Sequence, residues 1–201
     1  MTEATSPLLR RFRLILWILV ALVAVAATAL FLFKPPARPL GLNGNSFSLQ
    51  STTGATFTQA DLKGTPTLVF FGYTFCPDVC PTTLSEMTAL RDELGLNPDD
   101  LRIVFATVDP ARDTVDVLKN YLAAFGDGVI GLTGSEAEVE AAKAAFGIYS
   151  KNGPDNGSGT YLVDHTATTF MLDKDGAFQG TIAYGEDTAT AKTKVQRLTG
   201  R

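Results

Sequence analysis

The stretch LVFFGYTFCPDVCPTTL, residues 68–84, contains both cysteines of the 201-residue chain, Cys76 and Cys80. It joins a strand-like apolar run, Leu68–Phe71, to a helical pattern. Proline is tolerated at the first helical position, whereas further inside a helix it removes a hydrogen bond and clashes with the preceding turn. The pattern therefore predicts that the helix begins at Pro81, with Cys80 as its N-cap and Cys76 in the preceding loop.

This placement of the cysteines favours reactive sulfur chemistry. A helix N-terminus is partially positive, so Cys80 is expected to favour the thiolate. Residues four apart in a regular helix have Cβ atoms about 5–6 Å apart, beyond the roughly 3.8 Å of a disulfide, but a loop lets the pair close into a disulfide or open to hold an ion. The alternative is an ordinary structural disulfide, which would stabilise the chain weakly because its loop is short. We therefore predict that Cys76 and Cys80 are redox-active.

An uncharged apolar run covers residues 14–33 and is long enough to span a bilayer of about 30 Å as a helix. It predicts a transmembrane anchor. Three arginines precede the run, so residues 1–13 are expected in the cytoplasm and the rest of the chain beyond the membrane. The alternative is a cleaved signal peptide with its small-residue site within residues 24–29. The apolar run continues to Phe33, which favours the uncleaved anchor.

Residues 34–40 are rich in proline and predict a short semi-rigid linker, and residues 41–201 are long enough for one domain with its own core. Residues 39–201 carry 12 Lys and Arg against 20 Asp and Glu, a net charge of −8. This charge makes nucleic acid and anionic lipid poor partners for the domain. The leader does not resemble a mitochondrial transit peptide. We therefore expect a bacterial inner-membrane protein whose domain faces the oxidising periplasm.

Hydrophobic periodicity predicts an α/β domain. The predicted strands are residues 46–50, 55–58, 67–73, 101–109, 129–132, 168–172 and 177–184. The predicted helices run from Pro81 to near Gly95, from Val115 to Gly126, from a capping box at Ser135 to Gly147, and over residues 187–198. A polar, turn-rich segment, 151–159, predicts an exposed hairpin tip. Because the cysteines follow the first buried strand of an α/β sandwich, the domain is predicted to be thioredoxin-like.

His165 is the only histidine in the chain and lies just before the strand predicted at residues 168–172. Considered alone, it is interpreted as a solvated or hydrogen-bonded loop histidine. Asp78 and Asp164 lie near the motif cysteines and the histidine in the sequence. Each is equally consistent with tuning a metal site and with an ordinary loop or turn acid.

The chain resembles the Sco/SenC family of copper chaperones in three blocks. The first is residues 72–84, GYTFCPDVCPTTL; the second is residues 108–114, VDPARDT; the third is residues 161–167, YLVDHTA, followed by FMLD and DG. Three blocks in order, together with the anchor, make the resemblance span nearly the whole chain. One departure is Val115, where the family commonly has proline, and it affects a helix start only.

The resemblance implies a thioredoxin-like domain in which Cys76, Cys80 and His165 bind copper. It also implies a metallochaperone, not an enzyme, that helps to assemble the binuclear copper centre of cytochrome c oxidase subunit II by copper delivery, thiol reduction or both. Other copper chaperones and thioredoxin-like reductants are further expected partners. The donor types agree with this, because thiolates select Cu(I) and imidazole also suits copper, whereas structural zinc normally needs four protein ligands.

Three alternatives use the same residues differently. The main one is a membrane-anchored thiol-disulfide oxidoreductase or redox sensor, although such enzymes usually have C-x-x-C and this chain has one more residue between its cysteines. A thiol peroxidase is disfavoured because peroxiredoxins place threonine three residues before the reactive cysteine, and Thr74 is two before Cys76. A tethered binding module would keep both cysteines in a permanent disulfide and would not need His165.

Overall fold

The computed structural model describes residues 7–32, 46–154 and 160–201. The chain divides into two compact units, Met1–Arg38 and Pro39–Arg201. The predicted linker, residues 34–40, and most of the tip of the polar insert, residues 155–159, lie outside the described residues.

In the first unit, helix α1 runs over Pro7–Leu32. The side chains described between residues 9 and 25 are exposed. Within the part of the chain that the structure describes, no helix meets the length and hydropathy needed to cross a bilayer. The transmembrane anchor predicted for residues 14–33 is therefore not confirmed.

The second unit is an α/β domain built on a seven-stranded sheet of order β2-β1-β5-β4-β3-β8-β9. Its strands are β1 (Ser48–Ser51), β2 (Thr56–Thr58), β3 (Thr67–Gly72), β4 (Arg102–Thr107), β5 (Val129–Thr133), β8 (Thr168–Leu172) and β9 (Phe178–Ala183). Strands β3, β4 and β5 are parallel, and the remaining pairings are antiparallel. A separate two-stranded sheet pairs β6 (Ser150–Asn152) with β7 (Val163–His165).

Four helices complete the domain: α2 (Val79–Glu93), α3 (Val115–Leu122), α4 (Glu136–Phe146) and α5 (Thr188–Thr199). The capping box predicted at Ser135 is present: its hydroxyl accepts the Glu138 N–H, and the Glu138 carboxylate accepts the Ser135 N–H. Gly147 ends α4 in the left-handed conformation, as predicted. Local sequence signals thus set the limits of this helix.

The core lies along β3 and β4, where every β3 residue is buried, as expected for a strand covered on both faces. The carboxyl ends of parallel β3 and β4 meet at one edge, where the Val108 amide donates to the Gly72 carbonyl at 2.8 Å. Strand β8 is antiparallel to β3, with Phe70 opposite Thr169, so the residues that precede β8 reach the same edge. The topology therefore brings three separate segments of the sequence together there.

Candidate metal centre

The sheet edge after β3 collects the three predicted metal ligands. The Sγ atoms of Cys76 and Cys80 and a ring nitrogen of His165 all lie within 4.8 Å of one another, and Cys80 Sγ is 3.5 Å from His165 Nε2. Both cysteines are free thiols. Two soft sulfur donors and one imidazole at this spacing could hold a metal ion, and the donor types suit copper.

The cysteines enter α2 differently from the sequence prediction. Helix α2 begins at Val79 with Asp78 as its N-cap, so the predicted start at Pro81 is wrong and Cys80 is the second helical residue. Pro81 occupies the third position, where the backbone N–H would have no intrahelical partner in any case. The first helical bond described runs from the Thr82 amide to the Asp78 carbonyl at 3.1 Å. Proline therefore fits inside the first turn without losing a hydrogen bond.

The sulfur of Cys76, and not the Asp78 side chain, caps the N-terminus of α2. The Asp78 side chain makes no cap hydrogen bond, and the Cys80 amide donates to Cys76 Sγ at 3.3 Å. Hydrogen bonding from the Cys80 thiol is the largest influence on Cys76, and backbone amides add to it, which lowers the pKa of Cys76 to about 4. The hydrogen bond to Cys76 and then burial raise the pKa of Cys80. The sequence prediction that Cys80 favours the thiolate is therefore not supported, because the hydrogen bonds at the start of α2 favour the thiolate of Cys76.

His165 ends strand β7 instead of lying in a loop, with Ser150 of β6 opposite it. Its Nδ1 lies 3.2 Å from the Thr166 carbonyl, which can only accept a hydrogen bond, so Nδ1 carries the proton. Nε2 then presents its lone pair towards Cys80. The ring packs edge-on against Phe70 and Tyr73, with centroid separations of 6.0 and 5.8 Å. These contacts orient the imidazole as a metal ligand would be oriented.

Access to the three donors is unequal. Cys80 is fully buried, whereas Cys76 and His165 are half-buried. The side chains of Asp78 and Asp164 do not reach the donors through any described contact: the Asp78 carboxylate accepts a long 3.4 Å bond from the Thr82 hydroxyl, and Asp164 is an exposed β7 residue opposite Lys151. A partner molecule would therefore meet Cys76 and His165 first.

Sequence reasoning missed Asp113, which fixes the loop in front of the cysteines. Its buried carboxylate accepts the Thr74 amide at 3.1 Å, the Thr74 hydroxyl at 2.5 Å and the Thr107 hydroxyl at 2.6 Å. Desolvation raises the pKa of Asp113, and its hydrogen bonds oppose that effect. The signal was present, because Asp113 lies in the second block of the resemblance, directly after a buried strand.

Two more residues that shape the site were not singled out. The buried Tyr73 hydroxyl accepts the Val163 amide at 3.1 Å, which joins the cysteine segment to the strand that carries His165. At Gly72, a Cβ atom would lie 2.8 Å from Cys80 Sγ and 2.8 Å from the Phe105 ring. The absence of a side chain at Gly72 therefore makes room for the inner sulfur.

Comparison with known proteins shows the family of this chain. The family model described as SCO1/SenC matches residues 37–200. An SCO2-like protein of Rickettsia felis is 36% identical over 169 residues, which cover 78% of this chain and 82% of that protein. The chain belongs to the SCO1/SenC family. Two mitochondrial relatives, from Danio rerio and Homo sapiens, are longer, and this chain covers 51% and 46% of their length.

Solved structures of SCO proteins confirm the predicted thioredoxin-like α/β fold. Bradyrhizobium japonicum ScoI with copper bound is 38% identical, with a TM-score of 0.70, covering 76% of this chain and 97% of that chain. BsSco, described as a member of the Sco family of cytochrome c oxidase assembly proteins with a disulfide switch, is 24% identical, with a TM-score of 0.60, covering 80% of this chain and 95% of BsSco. At that identity BsSco supports the fold alone. The copper prediction is supported by the copper-bound neighbour together with the Cys-Cys-His group of this chain.

Proposed function

We propose that this protein is a copper-binding metallochaperone that holds Cu(I) on Cys76, Cys80 and His165. The observation that carries the proposal is the convergence of two free thiol sulfurs and an Nε2 lone pair within 4.8 Å at one sheet edge. Two thiolates and one imidazole suffice to coordinate Cu(I), and the three donors already lie close together in the folded chain. The cargo is expected to reach the binuclear copper centre of cytochrome c oxidase subunit II during its assembly.

The unequal burial of the three donors sets the order in which they release copper. Cys76 and His165 are half-buried and Cys80 is fully buried, so incoming thiolates of the partner displace Cys76 and His165 first and Cys80 last. Each new sulfur–copper bond replaces one bond to this protein, so copper remains coordinated and keeps its oxidation state throughout. The apo dithiol is left behind.

A second candidate activity, thiol reduction, is favoured by the lowered pKa of Cys76, about 4. The Cys76 thiolate attacks a partner disulfide, which forms a mixed disulfide and releases one partner thiolate. Cys80 then loses its proton and attacks Cys76 Sγ, which releases the second partner thiolate. Two electrons pass to the partner, and Cys76 and Cys80 become a disulfide. A dithiol reductant must then restore the pair.

The proposal also gives the chain a location and a domain plan. Residues 14–33 would anchor the protein in a bacterial inner membrane, residues 1–13 would remain in the cytoplasm, and the domain over residues 41–201 would face the periplasm on the 34–40 linker. The supports are the uncharged run and the arginines before it. Fractionation of cells that express the full chain, with alkaline washing of the membranes, tests this placement. Release of the whole protein by the wash would contradict it.

An anaerobic Cu(I) titration of the reduced full chain against a competing chelator tests the copper site. We expect one tight equivalent, and strong weakening in Cys76→Ser, Cys80→Ser and His165→Ala. Asp164→Asn is the matched control, because Asp164 is adjacent to His165 but exposed. Unchanged affinity in His165→Ala would remove the three-donor site. Turnover of a disulfide substrate by the copper-free protein separately tests the reductase activity.

A further inference from the structure

Arg112 lies between the two segments that carry the outer donors. Its Nη1 donates to the Tyr161 carbonyl at 3.0 Å, and its Cζ lies 3.7 Å from the centroid of the Tyr161 ring. Cζ also lies 4.7 Å from the ring centroid of Phe75, the residue before Cys76. Tyr161 precedes His165 by four residues. One planar cation therefore touches both the cysteine segment and the histidine segment.

The guanidinium is fixed in place by a carboxylate that is itself shared. Arg112 Nε donates to Asp109 Oδ2 at 2.5 Å, and the Tyr161 hydroxyl donates to Asp109 Oδ1 at 2.8 Å. Arg112 and Tyr161 thus contact each other, and both donate to the Asp109 carboxylate. Because the Asp109 side chain is only 3% exposed and that of Arg112 14% exposed, water screens their attraction weakly.

Core packing does not explain the contact between Arg112 and Phe75. The Phe75 side chain is 55% exposed, so its ring adds little to the core, yet it lies within cation–π distance of Arg112. The next residue along the chain from Arg112 is Asp113, which holds the Thr74 amide and hydroxyl. Two consecutive side chains therefore hold the turn that precedes Cys76.

We propose that Arg112 is a positioning residue that sets the separation of Cys76 and His165. The inference rests on the proposed function, because it assigns Arg112 to the same copper site. Arginine is needed because its planar group can stack on two rings while donating to a carboxylate and a carbonyl, whereas lysine offers only a point charge. Loss of this contact would let the two segments separate and weaken the bonds from the outer donors to copper.

A double-mutant cycle in copper affinity tests the inference. In the full chain, Arg112→Lys should weaken Cu(I) binding about 10- to 100-fold, the range typical for residues that orient metal ligands. In a His165→Ala background the same substitution should have a much smaller effect, because one of the two donors whose separation it sets is gone. The ring proton resonances of His165 in the copper-free protein should also shift in Arg112→Lys, which gives a readout without metal.

Arg91→Lys is the matched control for loss of stability, because Arg91 is a buried arginine bound to the carbonyls of Asp127 and Gly128 instead of to the site. It should leave copper affinity unchanged. The inference is overturned if Arg112→Lys binds copper like the wild type, if its effect is equally large in the His165→Ala background, or if Arg91→Lys weakens binding as much. If the wild type holds no copper, or His165→Ala binds as tightly as it does, the proposed function fails first and this inference falls with it.

Discussion

Cys76 and Cys80 share one motif but lie in different environments, and the difference determines which sulfur reacts first. Cys76 accepts hydrogen bonds at the half-buried mouth of the site, and Cys80 is enclosed beneath it. A thiolate is the attacking species in alkylation and in disulfide exchange. Reactivity at neutral pH should therefore be confined to Cys76.

Alkylation rates across pH measure this difference. The pKa of Cys76 is lowered to about 4, so its thiolate is present above about pH 4 and is lost as the pH falls through that value. With iodoacetamide and copper-free reduced protein, we expect a rate constant that rises near pH 4 and is flat at neutral pH. Cys76→Ser is the control and should react very slowly, because Cys80 is fully buried and its burial, which the substitution leaves in place, itself raises the pKa of that thiol. A wild-type rate that rises only near the ordinary thiol pKa of about 8.5 would contradict the assignment.

Gly72→Ala tests whether the position of Cys80 Sγ depends on the absence of a side chain at residue 72. The new Cβ would lie 2.8 Å from both Cys80 Sγ and the Phe105 ring, so the substitution should displace the sulfur and lower the unfolding free energy by about 1–3 kcal/mol. Copper affinity should fall as well. Gly131→Ala is the matched control, because its Cβ would lie 2.7 Å from Leu122 and from Thr52, which are outside the site. Equal loss of copper affinity in both variants would show that crowding acts on the fold in general.

At the scale of secondary-structure elements, Asp113 links the end of β4 to the loop between β3 and α2. In Asp113→Asn a neutral amide replaces the carboxylate, so the hydrogen bonds from Thr74 and Thr107 lose their charged acceptor inside the protein. We expect an unfolding free energy lower by about 1–3 kcal/mol, measured by denaturant titration, and faster exchange of the Thr74 amide. The exposed α3 residue provides a control: Asp116→Asn should change stability by less than about 0.5 kcal/mol. Unchanged Thr74 exchange would rule out this role of Asp113.

The elements with strong local signals could be predicted from the sequence. The apolar runs of β3 and β4 and the capping box of α4 are confirmed within one or two residues of the predicted limits. The predicted start of α2 was wrong because proline was expected only at the first helical position. Proline at the third position costs no hydrogen bond either, and Pro81 lies there. Strands β6 and β7 have only three residues each, too few for a periodic pattern. Only their connection was predicted, as a hairpin tip.

At the scale of the whole molecule, strand order is what the sequence could not provide. His165 reaches the cysteines because β8 pairs antiparallel with β3, although 85 residues separate His165 from Cys80. The hydrophobic periodicity of β3 and of β8 does not predict that these two strands pair. The three ligands were identified through the family resemblance, whereas the contacts of Arg112 and Asp113 needed the folded chain. Composition, by contrast, predicted the acidic character of the domain directly.

Copper should stabilise the whole domain, because its donors come from two distant parts of the sequence, the cysteine pair and His165. A ligand that binds only the folded state adds RT ln(1 + [L]/Kd), or about 2.7 kcal/mol at a free concentration 100 times Kd. Cys76 and Cys80 are near neighbours and bind some copper when the chain is unfolded, so the measured gain should be smaller than this limit. Denaturant unfolding at buffered Cu(I) concentrations should show a midpoint that rises with free copper and returns to the copper-free value with a chelator. Cys80→Ser should lack most of the rise, and a copper-independent midpoint in the wild type would contradict a folded three-donor site.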